Sequence, residues 1–367
     1  MKVCILGCGM QGRVAAMALK EDNEVTILDI NKENLNMIKK IPGIRTMEFD
    51  VTAPRILSFL KNFDIIVGAL PSSLGFRTME CALRAHRDIV DMSYLPEDPF
   101  LLNKDAKRLK VRIVPDAGFA PGLSNILVGE AYQRFCGIDT LRILVGGIPQ
   151  KPVPPFNYRI TWSLVDLIEE YSRPARIMKE FRVIKVPPLS GIEEFTIPEI
   201  GKLECFYTDG LRTLLKTIKG ARDMEEKTIR YPGHAEIFKK IIDCGLFSDK
   251  RVRFKGNWIK VRDFTMEYLK QRLTEGGIED ISILVIEIKR KARSKRYFVL
   301  DYYDKKRRIT SMARMTAYTG AVIARHIKEY PDYGVIPPEY LGFNLNLCNE
   351  IKADLKKMGI HITGRDL

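Results

Sequence analysis

Through the first 115 residues, short apolar runs rich in Val and Ile alternate with stretches of helical periodicity. The runs fall at Lys2–Leu6, Glu24–Leu28, Ile44–Glu48, Ile65–Ala69, Asp88–Asp91 and Arg112–Pro115. Near-continuous apolarity suits strands covered on both faces of a parallel sheet. Between them lie helical stretches at Gly12–Leu19, Lys32–Lys39, Ala53–Lys61, Gly75–Ala85 and Pro99–Leu109. Strand and helix in strict alternation predict an α/β fold, a doubly wound parallel sheet with helices on both faces.

After Pro121 the rhythm changes. A helix is expected near Leu123–Phe135, then strands at Leu141–Val145, Leu203–Thr208, Glu226–Tyr231, Ser282–Ile288 and Tyr297–Tyr303. Helices near Ala235–Asp243 and Asp263–Arg272 separate some of them. Alternating polarity along these strands predicts an α+β second domain. A strong helix at Arg314–Tyr330 and a last one near Leu347–Met358 close the chain. Its 367 residues suit two domains rather than one.

Composition narrows the class. The chain is 46% hydrophobic, yet no stretch reaches 18 uncharged apolar residues, so no membrane span is expected. The opening MKVCILGCGMQG is too short and glycine-rich for a leader and reads as a buried strand entering a loop, which implies a cytoplasmic protein starting at Met1. Seven scattered cysteines suggest neither a disulfide framework nor a metal site. The net charge of +14 raises a nucleic-acid reading. However, the basic runs Lys289–Arg296 and Lys305–Arg308 flank strand-like segments, as a solvated hairpin tip would, and nucleic acid is not the expected partner.

Gly7-Cys8-Gly9-Met10-Gln11-Gly12 is a GxGxxG loop directly after the first strand and opening a helix. In that setting it marks a Rossmann-type dinucleotide site. Gly7 makes the tight turn, Gly9 admits a pyrophosphate, and Gly12 lets helix pack on strand. Met10 and Gln11 bring the helix N-terminus to the phosphates. Asp29, ending the second strand before Ile30, is placed to accept hydrogen bonds from the adenosine ribose. No Arg follows within two residues, and the carboxylate would repel a 2′-phosphate, so NAD is expected as cofactor. Asp50 either lies beside the adenine or caps the following turn. Leu70, Pro71 and Ser72 follow the fourth strand at the nicotinamide half, with Met92 and Ala117 after the fifth and sixth.

Several further segments carry a resemblance. They are Val90–Tyr94, Pro115–Gly122, Gly146–Pro149, Pro154–Tyr158, Tyr207–Gly210, Thr228–Glu236 and Met312–Thr319. With the glycine loop, they resemble the saccharopine dehydrogenase superfamily, and within it most of all the lysine 6-dehydrogenases. The resemblance implies a Rossmann domain (1–122) interrupted by a substrate and dimerisation domain (123–311), with residues 312–367 returning to the first. It implies oxidation of L-lysine at the ε-amine by NAD, release of ammonia, and a semialdehyde that cyclises to 1-piperideine-6-carboxylate. A homodimer is expected. Tyr94 corresponds to a substrate-contacting tyrosine of the saccharopine branch. That branch has Asp where this chain has Ala120, a departure that counts against saccharopine as substrate.

An amino-acid carboxylate calls for the planar fork of an arginine. Arg230 is the first candidate and Arg212 the second, with Tyr94, Gly122 and Thr228 beside the substrate. Asp91 and His234 are the candidate catalytic groups: His234 could act as a base, or cap or pack its helix, and Asp91 could orient the amine. Two other readings stay open: a saccharopine-type reductase using NADP, and a non-enzymatic NAD-sensing or nucleic-acid-binding protein.

Overall fold

A computed structural model describes residues 1–160 and 162–366. The chain divides into two compact units, the first formed by Met1–Gly137 with Ala313–Ile362 and the second by Ile138–Met312 with the strand from Thr363.

The first unit is built on β1 (Lys2–Leu6), β2 (Glu24–Asp29), β3 (Ile44–Glu48), β4 (Ile65–Gly68), β5 (Asp88–Asp91) and β6 (Arg112–Val114). A two-residue strand, Gly334–Val335, pairs parallel with β6. The sheet runs from that strand through β6, β5, β4, β1 and β2 to β3. Every pairing is parallel. The order reverses at β1, where the chain leaves in opposite directions toward β2 and β4. That reversal opens a crevice above the carboxyl ends of the strands, the place where such sheets bind ligands. Val3, Cys4, Ile5, Ile65, Ile66 and Val67 are wholly buried, as strands covered on both faces must be.

The second unit contains β7 (Thr140–Pro149), β8 (Ala175–Lys179), β9 (Arg182–Val186), β10 (Glu193–Ile197), β11 (Gly201–Tyr207) and β12 (Asp223–Arg230). It adds β13 (Arg251–Phe254), β14 (Asn257–Lys260), β15 (Asp280–Arg290) and β16 (Arg293–Tyr302). Its main path runs β10, β11, β12, β7, β15, β16 and the terminal strand Thr363–Asp366. The β7–β12 pair is parallel and the other pairs on this path are antiparallel. Lys291 and Ala292 form the tip of the β15–β16 hairpin, with Lys291 at φ 52°. The basic run is therefore hairpin surface, and Arg290, Lys295 and Arg296 in it pair with Asp139, Asp366 and Glu287.

Two boundaries differ from the sequence reading. The helix Leu123–Phe135 belongs to the first unit, because Gly129 sits against the Glu339 backbone so closely that a Cβ there would lie 2.1 Å from its carbonyl oxygen. The last strand, in turn, joins the second unit's sheet through β16. Among the described residues, no helix is long and apolar enough to cross a membrane.

Candidate functional site

In the first unit the glycine loop follows from three different constraints. Gly7 has φ 101°, and a Cβ there would lie 2.4 Å from the Ala69 carbonyl oxygen. At Gly12 a Cβ would meet the Gly7 carbonyl oxygen at 1.9 Å, so the helix Met10–Leu19 approaches β1 only because that residue has no side chain. Gly9 is different: nothing lies within 4 Å of where its Cβ would be. It has ordinary φ and N-caps the helix without a side-chain hydrogen bond, and no acid occupies the first turn. The first-turn N–H groups of a helix lack intrahelical partners. Here the loop is open at Gly9 and no acid in the first turn competes for those groups, as a pyrophosphate requires.

Asp29 closes this loop. Its Oδ2 accepts from the Cys8 N–H at 2.7 Å and from Asn34 Nδ2 at 3.3 Å, and its Oδ1 from the Asn31 N–H at 2.8 Å. An ionised carboxylate offers about four acceptor positions, so one remains for a ribose hydroxyl. Ile30 beside it is 69% exposed. Met10 is exposed and Gln11 half-buried at the helix start. Leu70, Pro71 and Ser72 lead from β4 into the helix Ser72–Arg84, which Pro71 caps.

Other expected cofactor and catalytic residues take different work. Asp50 accepts from the Thr52 N–H at 2.8 Å and its hydroxyl at 2.7 Å, so it fixes its own turn rather than reaching for adenine. Met92 and Ala117 are buried against the helix Ser311–His326, where a Cβ on Gly320 would lie 2.5 Å from the Met92 sulfur and 3.3 Å from the Ala117 carbonyl oxygen. Their side chains are core, not pocket wall. Asp91 is also interior, at 0% exposure. Its Oδ1 holds the Ser93 N–H and hydroxyl, and a Cβ on Gly68 would lie 1.9 Å from Oδ2. Burial, with Asp116 nearby, pushes its carboxyl up to about 6. Enclosed in this way, Asp91 shapes the turn after β5 and does not present itself to a reacting amine. Tyr94 is half-buried beyond that turn. Gly122, at φ 130°, lies against the Gly118 backbone and caps the next helix, so it serves the loop's shape.

In the second unit, strand pleating gathers the chemistry. Side chains two apart on a strand share a face, so Glu226, Thr228 and Arg230 of β12 point the same way. Register sets Glu204 opposite Arg230 and Phe206 opposite Thr228. Thr208, just past β11, continues that face. Onto it the helix Leu164–Ser172 lays Glu170 and Tyr171, and the helix His234–Asp243 lays His234 and Phe238. Glu204 anchors the latter helix by accepting from the Gly233 and Ala235 N–H groups at 2.8 and 2.7 Å.

Arg230 is 2% exposed. Its Nε donates to Tyr171 Oη at 2.9 Å and its Nη1 to the Ile229 carbonyl at 2.8 Å, while the guanidinium lies 4.6 Å from the Tyr158 ring centre. Among the described residues nothing accepts from Nη2. Tyr158 Oη is likewise buried with no partner among the described residues. A buried cation with donors to spare, beside an unpartnered phenol, is costly in a finished core and suits a ligand that supplies oxygens.

His234 is fixed by the same network. Its Nδ1 lies 2.8 Å from the Phe156 carbonyl, which can only accept, so Nδ1 carries the proton. Nε2 then accepts from Tyr171 Oη at 2.9 Å. Burial and the Arg230 charge hold the imidazole down to about 3. The expected base is therefore a neutral prop that aims the Tyr171 oxygen at Arg230. Arg212, buried at φ 50°, is engaged in interactions of its own in the turn after Asp209.

Below Arg230 runs a line of oxygens. Glu226 Oε2 is 2.7 Å from Thr208 Oγ1, Thr208 Oγ1 is 2.8 Å from Thr228 Oγ1, and Thr228 Oγ1 is 2.7 Å from Glu170 Oε1. Burial, with Glu170 and Asp209 nearby, pushes Glu226 well above the usual carboxylate range. Glu170 is also raised by burial, an effect that the charges of Arg230 and Arg173 and the Thr228 hydroxyl oppose. Sequence reasoning missed Glu170, Tyr171, Tyr158, Thr208 and Glu226 as site residues. A signal for the first two was present. Ser163 followed by Asp166 is a capping start, and Leu164, Leu167, Ile168 and Tyr171 recur at helical spacing.

Comparison with known proteins matches both units. Residues 3–114 match the saccharopine dehydrogenase NADP binding domain and residues 118–360 the saccharopine dehydrogenase C-terminal domain. The chain is 22% identical over 336 residues to saccharopine dehydrogenase [NADP(+), L-glutamate-forming] of Saccharomyces cerevisiae, covering 88% of this chain and 73% of that one. It is 20% identical over 240 residues to the alpha-aminoadipic semialdehyde synthase of Arabidopsis thaliana, covering 60% of this chain but only 22% of that longer protein. The solved apo structure of the Saccharomyces cerevisiae L-Glu-forming saccharopine dehydrogenase superposes with a TM-score of 0.80 at 17% identity, covering 100% of this chain and 99% of that one, a likeness of fold.

Proposed function

The chain belongs to the saccharopine dehydrogenase family of oxidoreductases and carries its pyridine-nucleotide-binding domain, and from that premise we propose that it oxidises L-lysine at the ε-amine with NAD. The observation that carries the reading is Arg230, a buried guanidinium whose Nη2 has no acceptor among the described residues, braced by Tyr171 and Tyr158. Such a fork binds the α-carboxylate of a small amino acid and so fixes which end of the substrate is held and which reacts. Bound NAD supplies the hydride acceptor. Cε gives up its hydride and the ε-nitrogen its proton. Water adds to the resulting imine, ammonia leaves, and the semialdehyde closes on its own α-amine. The reacting amine must be neutral, although its free pKa is about 10.4; a desolvated site beside the cationic nicotinamide lowers that value.

Asp29 supports NAD over NADP. Three protein donors hold its carboxylate at the end of β2, where it accepts a ribose hydroxyl and repels a 2′-phosphate. The relatives named above are NADP enzymes in part, so the cofactor is a point of test. NAD reduction is expected with L-lysine, with labelled ammonia released from ε-15N-lysine and none from α-15N-lysine. Asp29→Ala should weaken NAD and relax the rejection of NADP. A wild type that prefers NADP and cleaves saccharopine would replace this reading with the relatives' reaction.

We also propose a cytoplasmic homodimer that assembles through the second unit, whose nine-stranded sheet exceeds what nucleotide binding needs. Light scattering at micromolar concentration should give twice the 42.0 kDa chain mass; a monomer would refute it. Nucleic acid is no partner in this reading, and a gel shift persisting at physiological salt would overturn that.

A further inference from the structure

Glu170 has no place in the chemistry above, yet its setting is unusual. It stands on the same β-sheet face as Arg230, and each feels the other's charge, but they form no ion pair. Oε1 takes the Thr228 hydroxyl at 2.7 Å. The Thr208 hydroxyl also lies close enough to stabilise the carboxylate. A carboxyl group aimed by a threonine, on the face that carries an arginine it does not pair with, sets an acceptor and a donor side by side, as a group that carries both charges needs.

We propose that Glu170 receives the α-ammonium of the amino-acid substrate whose α-carboxylate Arg230 holds, so that the second unit reads a zwitterion. This rests on the assignment of Arg230 above and deepens it. The charges support it. A guanidinium and a carboxyl group on one face match the two ends of a zwitterion, and His234 between Tyr171 and the Phe156 carbonyl is neutral and adds no charge. Thr228 donates to Glu170 Oε1 and so fixes that carboxylate's orientation, while Thr208 donates to Glu226 Oε2. The α-nitrogen is separated from the carboxylate by one carbon and the ε-nitrogen by five, so a group beside Arg230 serves recognition rather than the reacting amine. Glu170 is thereby a specificity residue: it disfavours acids that lack an α-amine, while Arg230 disfavours simple diamines.

The test uses L-norleucine and hexanoate, which share the carboxylate and chain and lack the ε-amine, titrated calorimetrically into the full chain. Wild type should bind norleucine about 10- to 100-fold more tightly than hexanoate, as a charge-assisted contact implies. In Glu170→Gln, isosteric and uncharged, that preference should shrink to about threefold or less, with hexanoate affinity kept. No preference in wild type, or one that survives Glu170→Gln, overturns the proposal. If Glu170→Gln does not fold, Thr228→Val reads the same contact, and an unchanged preference there overturns it equally. Norleucine preference without lysine oxidation would remove the reaction proposed above and leave the receptor standing. Lysine oxidation with an unchanged preference in Glu170→Gln would do the reverse.

Discussion

In the first unit, six consecutive residues from Gly7 to Gly12 shape the nucleotide loop, and one carboxylate from the next strand steadies it. In the second, Arg230 is held by Tyr171 and Tyr158, Tyr171 by His234, and His234 by the Phe156 carbonyl and a helix that Glu204 caps. The loop works through what is missing, since side chains at Gly7 and Gly12 would strike backbone. The arginine site works through what is present, a polar network inside the aromatic cluster of Tyr158, Tyr171, Phe206 and Phe238. Backbone hydrogen bonds tolerate many neighbouring sequences, whereas a buried polar network fails when one member is left unpaired. The second site should therefore be the more fragile to single substitutions and the more selective.

The largest effect that would sharpen this contrast is expected from Arg230→Ala. Loss of a desolvated charge-assisted contact costs about 2–5 kcal/mol, so kcat/KM for lysine should fall roughly 30-fold to several thousand-fold. NAD affinity, read by NADH fluorescence, should barely move because Arg230 lies in the other unit. Near-normal lysine kinetics in this variant would break the assignment.

Within the loop the glycines should separate. Gly12→Ala forces a Cβ to within 1.9 Å of a backbone oxygen, and overpacking of that kind costs about 1–3 kcal/mol, visible as a lower Tm together with weakened nucleotide binding. Gly9→Ala meets open space and should keep its Tm while losing roughly tenfold or more in NAD affinity, the equivalent of about 1.4 kcal/mol. Equal Tm losses in the two variants would mean that Gly9 serves packing rather than a ligand.

The smallest effect is a pH dependence. His234 is held near 3 in the folded chain, against about 6.5 in an unfolded one. Between those values the unfolded state binds the extra proton. The stabilisation is complete above pH 6.5 and is lost as pH falls toward 3, at up to about 1.4 kcal/mol per pH unit. The raised carboxyls Asp91, Glu170 and Glu226 act in the opposite direction, so the comparison is between variants. Urea midpoints at pH 7 and pH 5 should differ less in His234→Gln than in wild type. Equal differences would mean that the imidazole is not buried neutral.

Much of the architecture is legible in the order of the amino acids. All six strands from Lys2 to Val114 follow the apolar runs, and the helix Ser311–His326, expected from Arg314, lies within a few residues of its predicted place. Local pattern suffices there because strands buried on both faces must be apolar throughout, and because glycines that admit backbone are required at fixed spacing. The hairpin β8–β9, the strand β10 and the small pair β13–β14 escape the pattern. Apart from β8, which is only five residues long, their residues are largely exposed, and an exposed strand carries little hydrophobic signature.

The sequence by itself determined the nucleotide loop, the acidic end of β2 and the arginine on β12, because each depends on a residue type at a short, fixed offset from a strand end. Only the tertiary structure decided which polar groups surround that arginine. Glu170 and Tyr171 lie far along the chain from Thr228 and Arg230, and no periodicity links a helix to the sheet face it covers. It also decided protonation: Asp91 and His234 look like catalytic groups in one dimension, but their pKa values depend on burial and neighbouring charge, which are properties of the packed chain.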